Sequence, residues 1–213
     1  MRFTLEPLLS DTEVEGFRRR LLGQEARWEA GAQTAGWHAR GVKENLQLAR
    51  SSPLHRQLAD ELGAALVRHP LVQAAALPVR VHGMLFSRSG PGQGYGRHVD
   101  NAFMAEGRSD LSFTVFLCDP EAYEGGGLIL ESPAGEEEVR LPAGQALVYP
   151  STLLHRVETV RAGERLVAVG WIQSRIRSAE RRELLFELDT ARRTLFRREG
   201  KGEVFDLISR SYT

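Results

Sequence analysis

The sequence predicts a mainly β fold with flanking helices, its core an antiparallel jelly roll, and three observations carry that prediction. From Val79 to Ser174 short runs rich in Val, Ile, Leu and Phe succeed one another: "VRVHGMLFS", "DLSFTVFLCD", "GGLILES", "EEVRLPA", "GQALVYP", "HRVETV" and "RLVAVGWIQS". Turn-forming stretches such as "EGGG", "PAGQ" and "RAGE" separate them. On either side the apolar spacing lengthens to three or four residues, the period of a helix. Short strands at such regular intervals form a sandwich or barrel, and this many suit a jelly roll. The chain therefore divides into an N-terminal helical segment packed on the core (1–77), the jelly roll (78–175) and a C-terminal helical extension (176–213).

Taken in order, a first helix is expected from Ser10 to about Glu29. Ser10 is an N-cap candidate followed by acids, and Val14, Phe17, Leu21 and Leu22 recur on one face. A second helical stretch, "PLHRQLADELGAALVRHPLVQAAAL", brings Leu54, Leu58, Leu62, Leu66 and Val67 to one side. The strands follow, with the glycine-rich "SRSGPGQGYG" as a loop leading into the segment that holds His98. After Gln173 the pattern is helical again, with Leu184, Leu188, Ala191 and Leu195 as its stripe; "EVFDLISRSYT" is too short to assign.

At 213 residues, 42% of them hydrophobic, the chain can bury one sizeable core. Lys plus Arg and Asp plus Glu both count 28, so no net field draws the molecule to nucleic acid or an anionic membrane. The expected partners are small molecules or a protein. The single cysteine, Cys118, lies in an apolar run and reads as a core residue, which suits a reducing cytoplasm. Acids interrupt the first residues where a signal peptide would be apolar, and no segment reaches bilayer length, so a soluble cytoplasmic protein is expected.

The stretch "GYGRHVDNAFM" sets His98 and Asp100 two apart. On a strand, residues i and i+2 share a face, so both side chains are expected to project into one space with Val99 turned away. His155, opening the strand "HRVETV", is the natural third ligand. Two histidines and one carboxylate form the facial triad that holds non-haem Fe(II) and leaves coordination positions open. Arg165 stands ten residues further on, at the start of "RLVAVGWIQS". If 2-oxoglutarate chelates the iron through its keto acid end, a guanidinium there can meet the far carboxylate bidentately.

Other features have plainer readings. His38, His55, His69 and His82 read as surface or hydrogen-bonded structural histidines, His82 alone being placed where it could face the cavity. The tail arginines, Arg181, Arg182, Arg192, Arg193, Arg197 and Arg198, read as a solvated helix face. Trp171 reads as core, and Gly125, Gly126 and Gly127 as a turn or bulge.

On "TAGWHARGVKENLQL", "GYGRHVDNAFM", "RSDLSFTVFLCDPEAYEGGGLIL", "LPAGQALVYPSTLLHRVETVRAGER" and the helical tail, all in order, the chain resembles the bacterial PKHD-type hydroxylases among the Fe(II)/2-oxoglutarate-dependent dioxygenases. The resemblance covers nearly the whole chain. It implies a cupin-like double-stranded β-helix, with His98, Asp100 and His155 as iron ligands and Arg165 as the 2-oxoglutarate anchor. It also implies hydroxylation with O2, giving succinate and CO2, and ascorbate as a reductant. The substrate, a peptidyl or free amino acid or a small molecule, stays open, as does the oligomeric state. "GQGYGRHVDN" is similar to the equivalent segment of hypoxia-sensing prolyl hydroxylases, which implies that Tyr95 lines the cosubstrate pocket. The chain departs from the family at Glu44, where an Asn is usual before Asn45, and at His38, where Gln is common.

Two rivals stand beside this reading. A nucleic-acid demethylase of the same fold would carry a second arginine where this chain has Trp171. A non-catalytic, cupin-like metal-binding or sensor protein would have no use for Arg165.

Overall fold

In a computed structural model of the protein, which describes residues 1–34, 40–104 and 106–213, the central runs become strands of two large antiparallel sheets. The N-terminal part supplies β1 (Phe3–Leu5), α1 (Asp11–Leu21), β2 (Trp28–Ala30), β3 (Lys43–Glu44), β4 (Leu46–Leu48) and α2 (Pro53–Arg68). The central part supplies β5 (Pro78–Ser89), β6 (Gly94–His98), β7 (Phe103–Met104), β8 (Gly107–Arg108), β9 (Leu111–Phe116), β10 (Tyr123–Gly125), β11 (Leu128–Ser132) and β12 (Gly135–Val139). It continues through β13 (Ala146–Pro150), β14 (His155–Val157), β15 (Val160–Gly163) and β16 (Arg165–Ser174), after which α3 (Ala179–Glu199) and α4 (Glu203–Tyr212) close the chain.

The larger sheet runs β1-β13-β9-β16-β5-β4-β2 and the smaller β12-β11-β14-β6-β3. Alternation along β5 shows how the sheet is used: Met84 and Phe86 join the core under the helices, while Leu85, Ser87 and Ser89 line a cavity on the other face. Phe116, Leu147 and Val167 from the larger sheet and Leu128, Leu130 and Val139 from the smaller one pack between the two. This is the mainly β, helix-flanked jelly roll that the strand pattern predicts.

The helices follow from their caps and seams. Ser10 and Glu13 form a reciprocal capping box at the start of α1, and Val14, Phe17 and Leu21 are buried, with Phe17 stacked on Phe86. The helix ends at Leu21, short of the expected Glu29, because Gly23 follows its cap and Trp28–Ala30 joins the sheet as an edge strand beside β4. In α2, Ser52 caps and Pro53 occupies the first turn; Leu54, Leu58, Leu62 and Leu66 form the seam, while Val67 at its edge is exposed. That helix stops at Arg68, because His69 precedes Pro70 and adopts an extended conformation. Thus the segment expected to be helical also contributes four strands.

The tail differs from its expected pattern. Leu184 is exposed, while Arg182 and Asp189 are buried. Arg182 donates to the carbonyls of Ile176 and Arg177, and Asp189 pairs with Arg192 and Arg193. The unassigned "EVFDLISRSYT" forms α4, docked through Phe205 on Phe196 and Tyr212 under Arg192. No helix among the described residues is long and apolar enough to cross a membrane.

Candidate active site

Strand pairing builds the site. His98, the last residue of β6, lies directly opposite His155, the first residue of β14. Their rings stand 4.2 Å apart, centre to centre. Asp100 lies just beyond the end of β6, so the expected strand alternation does not place it; the chain's turn after His98 does. Its Oδ2 sits 3.9 Å from His155 Nε2, and ligand atoms of His98, Asp100 and His155 all lie within 4.8 Å of one another.

Each of these side chains is held from behind. His98 Nδ1 lies 2.8 Å from the Gly96 carbonyl and His155 Nδ1 lies 2.9 Å from that of Leu153. A carbonyl only accepts, so both Nδ1 atoms carry the proton and both Nε2 atoms present a lone pair. Ser112 Oγ donates to Asp100 Oδ2 at 2.5 Å and pairs with Ser151 Oγ at 2.8 Å. Burial, and then the neighbouring His155, push the His98 imidazole well below its ordinary pKa, which keeps it neutral. Tyr95 stacks on His98 at 3.7 Å, and Tyr149 meets His155 edge-on.

Arg165 opens β16 opposite Ser89 and lines the same cavity, with its guanidinium carbon 5.9 Å from the Phe116 ring centre. It is only 3% exposed, its Nε has no hydrogen-bond partner, and no carboxylate stands within ion-pair reach among the described residues. Burial lowers its pKa, opposed by Tyr123, Cys118 and Tyr149 around it. Gly126, at φ +65°, makes room: a Cβ there would lie 3.0 to 3.2 Å from Val160, Tyr123 and Arg165. The expected glycine bulge is present, with a register shift between Glu124 and Gly125 where β10 pairs with β15.

The cavity measures about 110 Å³, several times the roughly 10–15 Å³ that one water needs on that measure. It therefore has room for a small organic molecule beside an ion. Its walls include residues that motif reading passes over. Lys43, Asn45 and Gln47 point into it at a spacing of two, whereas Glu44 is exposed on the opposite face. That period-two pattern in "KENLQL" is the signal that identifies them. Lys43 Nζ donates to Thr34 Oγ1 at 3.0 Å and lies 5.0 Å from the Tyr95 ring centre. Burial brings the Lys43 ammonium down to about 8, with Asp100 opposing the shift.

Trp171, expected in the core, instead lines the cavity with its Nε1 buried and unpartnered. His82 is buried on β5 but does not line the cavity; its Nε2 lies 3.1 Å from the Arg108 carbonyl. His55 is a structural histidine, its Nε2 against the Met84 carbonyl. Cys118 is a buried thiol beside Leu166. His38 lies outside the described residues.

Comparison with known proteins agrees with this geometry. The profile of the 2OG-Fe(II) oxygenase superfamily matches residues 84–173. A PKHD-type hydroxylase of Prochlorococcus marinus (strain MIT 9313) is 52% identical over 207 residues, 97% of this chain and 94% of the relative. One from Synechococcus elongatus is 51% identical over 216 residues, covering 100% of this chain and 96% of the relative. Among solved structures, a Pseudomonas putida prolyl-4-hydroxylase superposes with a TM-score of 0.55 at 21% identity, over 82% of this chain and 93% of its own. HygX from Streptomyces hygroscopicus, solved with nickel, 2-oxoglutarate and hygromycin B bound, gives 0.59 at 15% identity, over 82% and 83%. With a jelly roll, a His-Asp-His cluster in its cavity and full-length relatives at about half identity, the chain belongs to the PKHD-type hydroxylases, 2-oxoglutarate-dependent dioxygenases of the 2OG-Fe(II) oxygenase superfamily.

Proposed function

We propose that His98, Asp100 and His155 hold the family's Fe(II), that Arg165 grips the far carboxylate of 2-oxoglutarate, and that Tyr95 forms part of the cosubstrate wall. The observation that carries this reading is the state of Arg165, buried without a counter-charge in the cavity that the three ligand side chains share. Removing a guanidinium from water without a partner costs several kcal/mol. A carboxylate arriving with the cosubstrate repays that cost and matches the guanidinium fork. The donor set fits the metal too, since two neutral imidazoles with free Nε2 atoms and one carboxylate suit ferrous iron and leave coordination positions open.

When bound, iron and 2-oxoglutarate supply the activation of O2 that hydroxylates the substrate, with succinate and CO2 as co-products. The chain's own residues prepare that chemistry. The Gly96 and Leu153 carbonyls fix the imidazole tautomers, and Ser112 holds the Asp100 carboxylate at its working angle. Leu128, Val167 and Phe113 exclude water from the inner cavity.

The substrate is a peptidyl or free amino acid or a small molecule. Trp171, where a nucleic-acid demethylase of this fold would carry a second arginine, and the balanced charge argue against nucleic acid. The orphaned Arg165 argues against a metal-only sensor. Ascorbate is the reductant that would keep the metal ferrous. The buried thiol of Cys118 suits a reducing compartment, and the cytoplasm is the one we assign.

The test is iron stoichiometry. The purified protein should bind one Fe(II) per chain anaerobically, and His155→Ala should bind it far more weakly. Unchanged stoichiometry and affinity in that variant would contradict the assignment.

A further inference from the structure

Three cations are buried among the described residues: Lys43, Arg165 and Arg182. Arg182 is satisfied by two backbone carbonyls and lies near Asp110. Arg165 has its use in the cosubstrate. Lys43 is left over. Its ammonium has three donors, of which one meets Thr34 Oγ1, and among the described residues it makes no ion pair with any carboxylate.

Charge counting around the cavity makes the same point. Among the described residues its charged side chains are Lys43, Asp100 and Arg165, with both histidines neutral as metal ligands. Once Fe(II) and the dianion of 2-oxoglutarate enter, their charges cancel, and Asp100 offsets only one of the two cations. One positive charge is left over, in a space where an uncompensated charge is costly, and Lys43 is the cation that the cosubstrate does not engage. One further polar atom of a cavity-lining residue is buried without a partner, the indole N–H of Trp171; the Asn45 amide oxygen, also unpartnered, is packed against Gly31.

We infer that Lys43 forms the charged subsite for the substrate and receives one carboxylate there. The chemistry is that of an acylated amino acid or of the C-terminal residue of a peptide: one negative charge and no free ammonium beside it. A zwitterion would bring no net charge, and an amidated chain end would leave Lys43 uncompensated. The inference rests on the iron and 2-oxoglutarate assignment above and deepens it.

The experiment uses the full chain with Zn(II) in place of iron, so that nothing turns over, and with 2-oxoglutarate bound. N-acetyl amino acids are titrated as free acids and as primary amides, followed by NMR, alongside short peptides with free and amidated C-termini. The best acid should outbind its own amide by roughly ten- to a hundredfold, the worth of one hydrogen bond to a charged group. That gap should close in Lys43→Gln and partly return in Lys43→Arg, with 2-oxoglutarate affinity and melting temperature unchanged in both. Equal binding of N-acetyl acids and peptides identifies a small molecule as sufficient, and binding of free-ended peptides alone identifies a chain end.

No acid preference in the wild type, a preference that survives Lys43→Gln, or a loss of 2-oxoglutarate rather than acid in that variant overturns the inference. Failure of 2-oxoglutarate to bind the Zn(II) protein at all breaks the underlying assignment, and this inference with it. Absence of any acid preference in the wild-type protein, with 2-oxoglutarate binding intact, breaks this inference alone.

Discussion

The two ends of the cavity are prepared in opposite ways. At the His98, Asp100 and His155 end, every group is tied to the protein, the imidazoles through Gly96 and Leu153 and the carboxylate through Ser112, so that both Nε2 atoms stay free. At the Arg165 end nothing ties the guanidinium Nε, and Phe116, Tyr123 and Gly126 close around the side chain. The difference teaches what each end needs. A metal demands direction from several donors at once, so hydrogen bonds aim them. A carboxylate brings its own acceptors, so a buried donor without a protein partner suits it.

That contrast can be broken at either end. The largest effect is expected for Asp100→Asn, which removes the anionic ligand and should lower Fe(II) affinity by more than the roughly 10- to 100-fold typical of a lost supporting contact. Metal titration by calorimetry checks it. Ser112→Ala leaves the ligand but frees its carboxylate, and should cost about 10- to 100-fold in Fe(II) affinity. With metal at saturation, its 2-oxoglutarate affinity should match wild type, which separates aim at one end from capture at the other.

Gly126→Ala tests the Arg165 end. A Cβ at φ +65° and 3.0 to 3.2 Å from three neighbours should destabilise the fold by about 1–2 kcal/mol. Thermal melting reads that loss, and 2-oxoglutarate should bind more weakly while Fe(II) affinity holds.

The smallest effect sharpens the metal end. His98 has a folded pKa of about 4, below the ordinary imidazole value, so the unfolded chain binds more protons between the two. The stability this group contributes is complete above the unfolded value and falls as pH drops toward the folded one. The metal-free protein should therefore lose about 1 kcal/mol between about pH 7 and about pH 5.5, with His55, also lowered by burial, adding in the same direction. Denaturant melts across that range check it, and His98→Gln should flatten the dependence.

Much of this was legible in the sequence because the information was local. β16 matches the run "RLVAVGWIQS" residue for residue, and the cap candidate Ser10 marks a true helix start. The pairing of His98 with His155 was legible only as an order of residues; their register depends on β6 and β14 meeting across a long separation in sequence. Asp100 reached its place beside the two histidines through a turn rather than through strand parity. Trp171 was misplaced although strand parity sets it on the same face as Arg165, Val167 and Val169, all of which line the cavity, while Leu166, Ala168 and Ile172 face the core. The tail failed differently. Its buried Arg182 and Asp189 are explained by partners that helical periodicity does not see, the carbonyls ahead of α3 and the arginines one turn on.

The central claim is that the buried Arg165 end of the cavity exists for the carboxylate of 2-oxoglutarate. It is tested most directly by adding 2-oxoglutarate anaerobically to the Fe(II) protein and to its Arg165→Ala variant, following the metal-to-ligand charge-transfer band. The account predicts binding about ten- to a hundredfold weaker in the variant, with Fe(II) affinity unchanged. Equal 2-oxoglutarate affinity in the two proteins would contradict it.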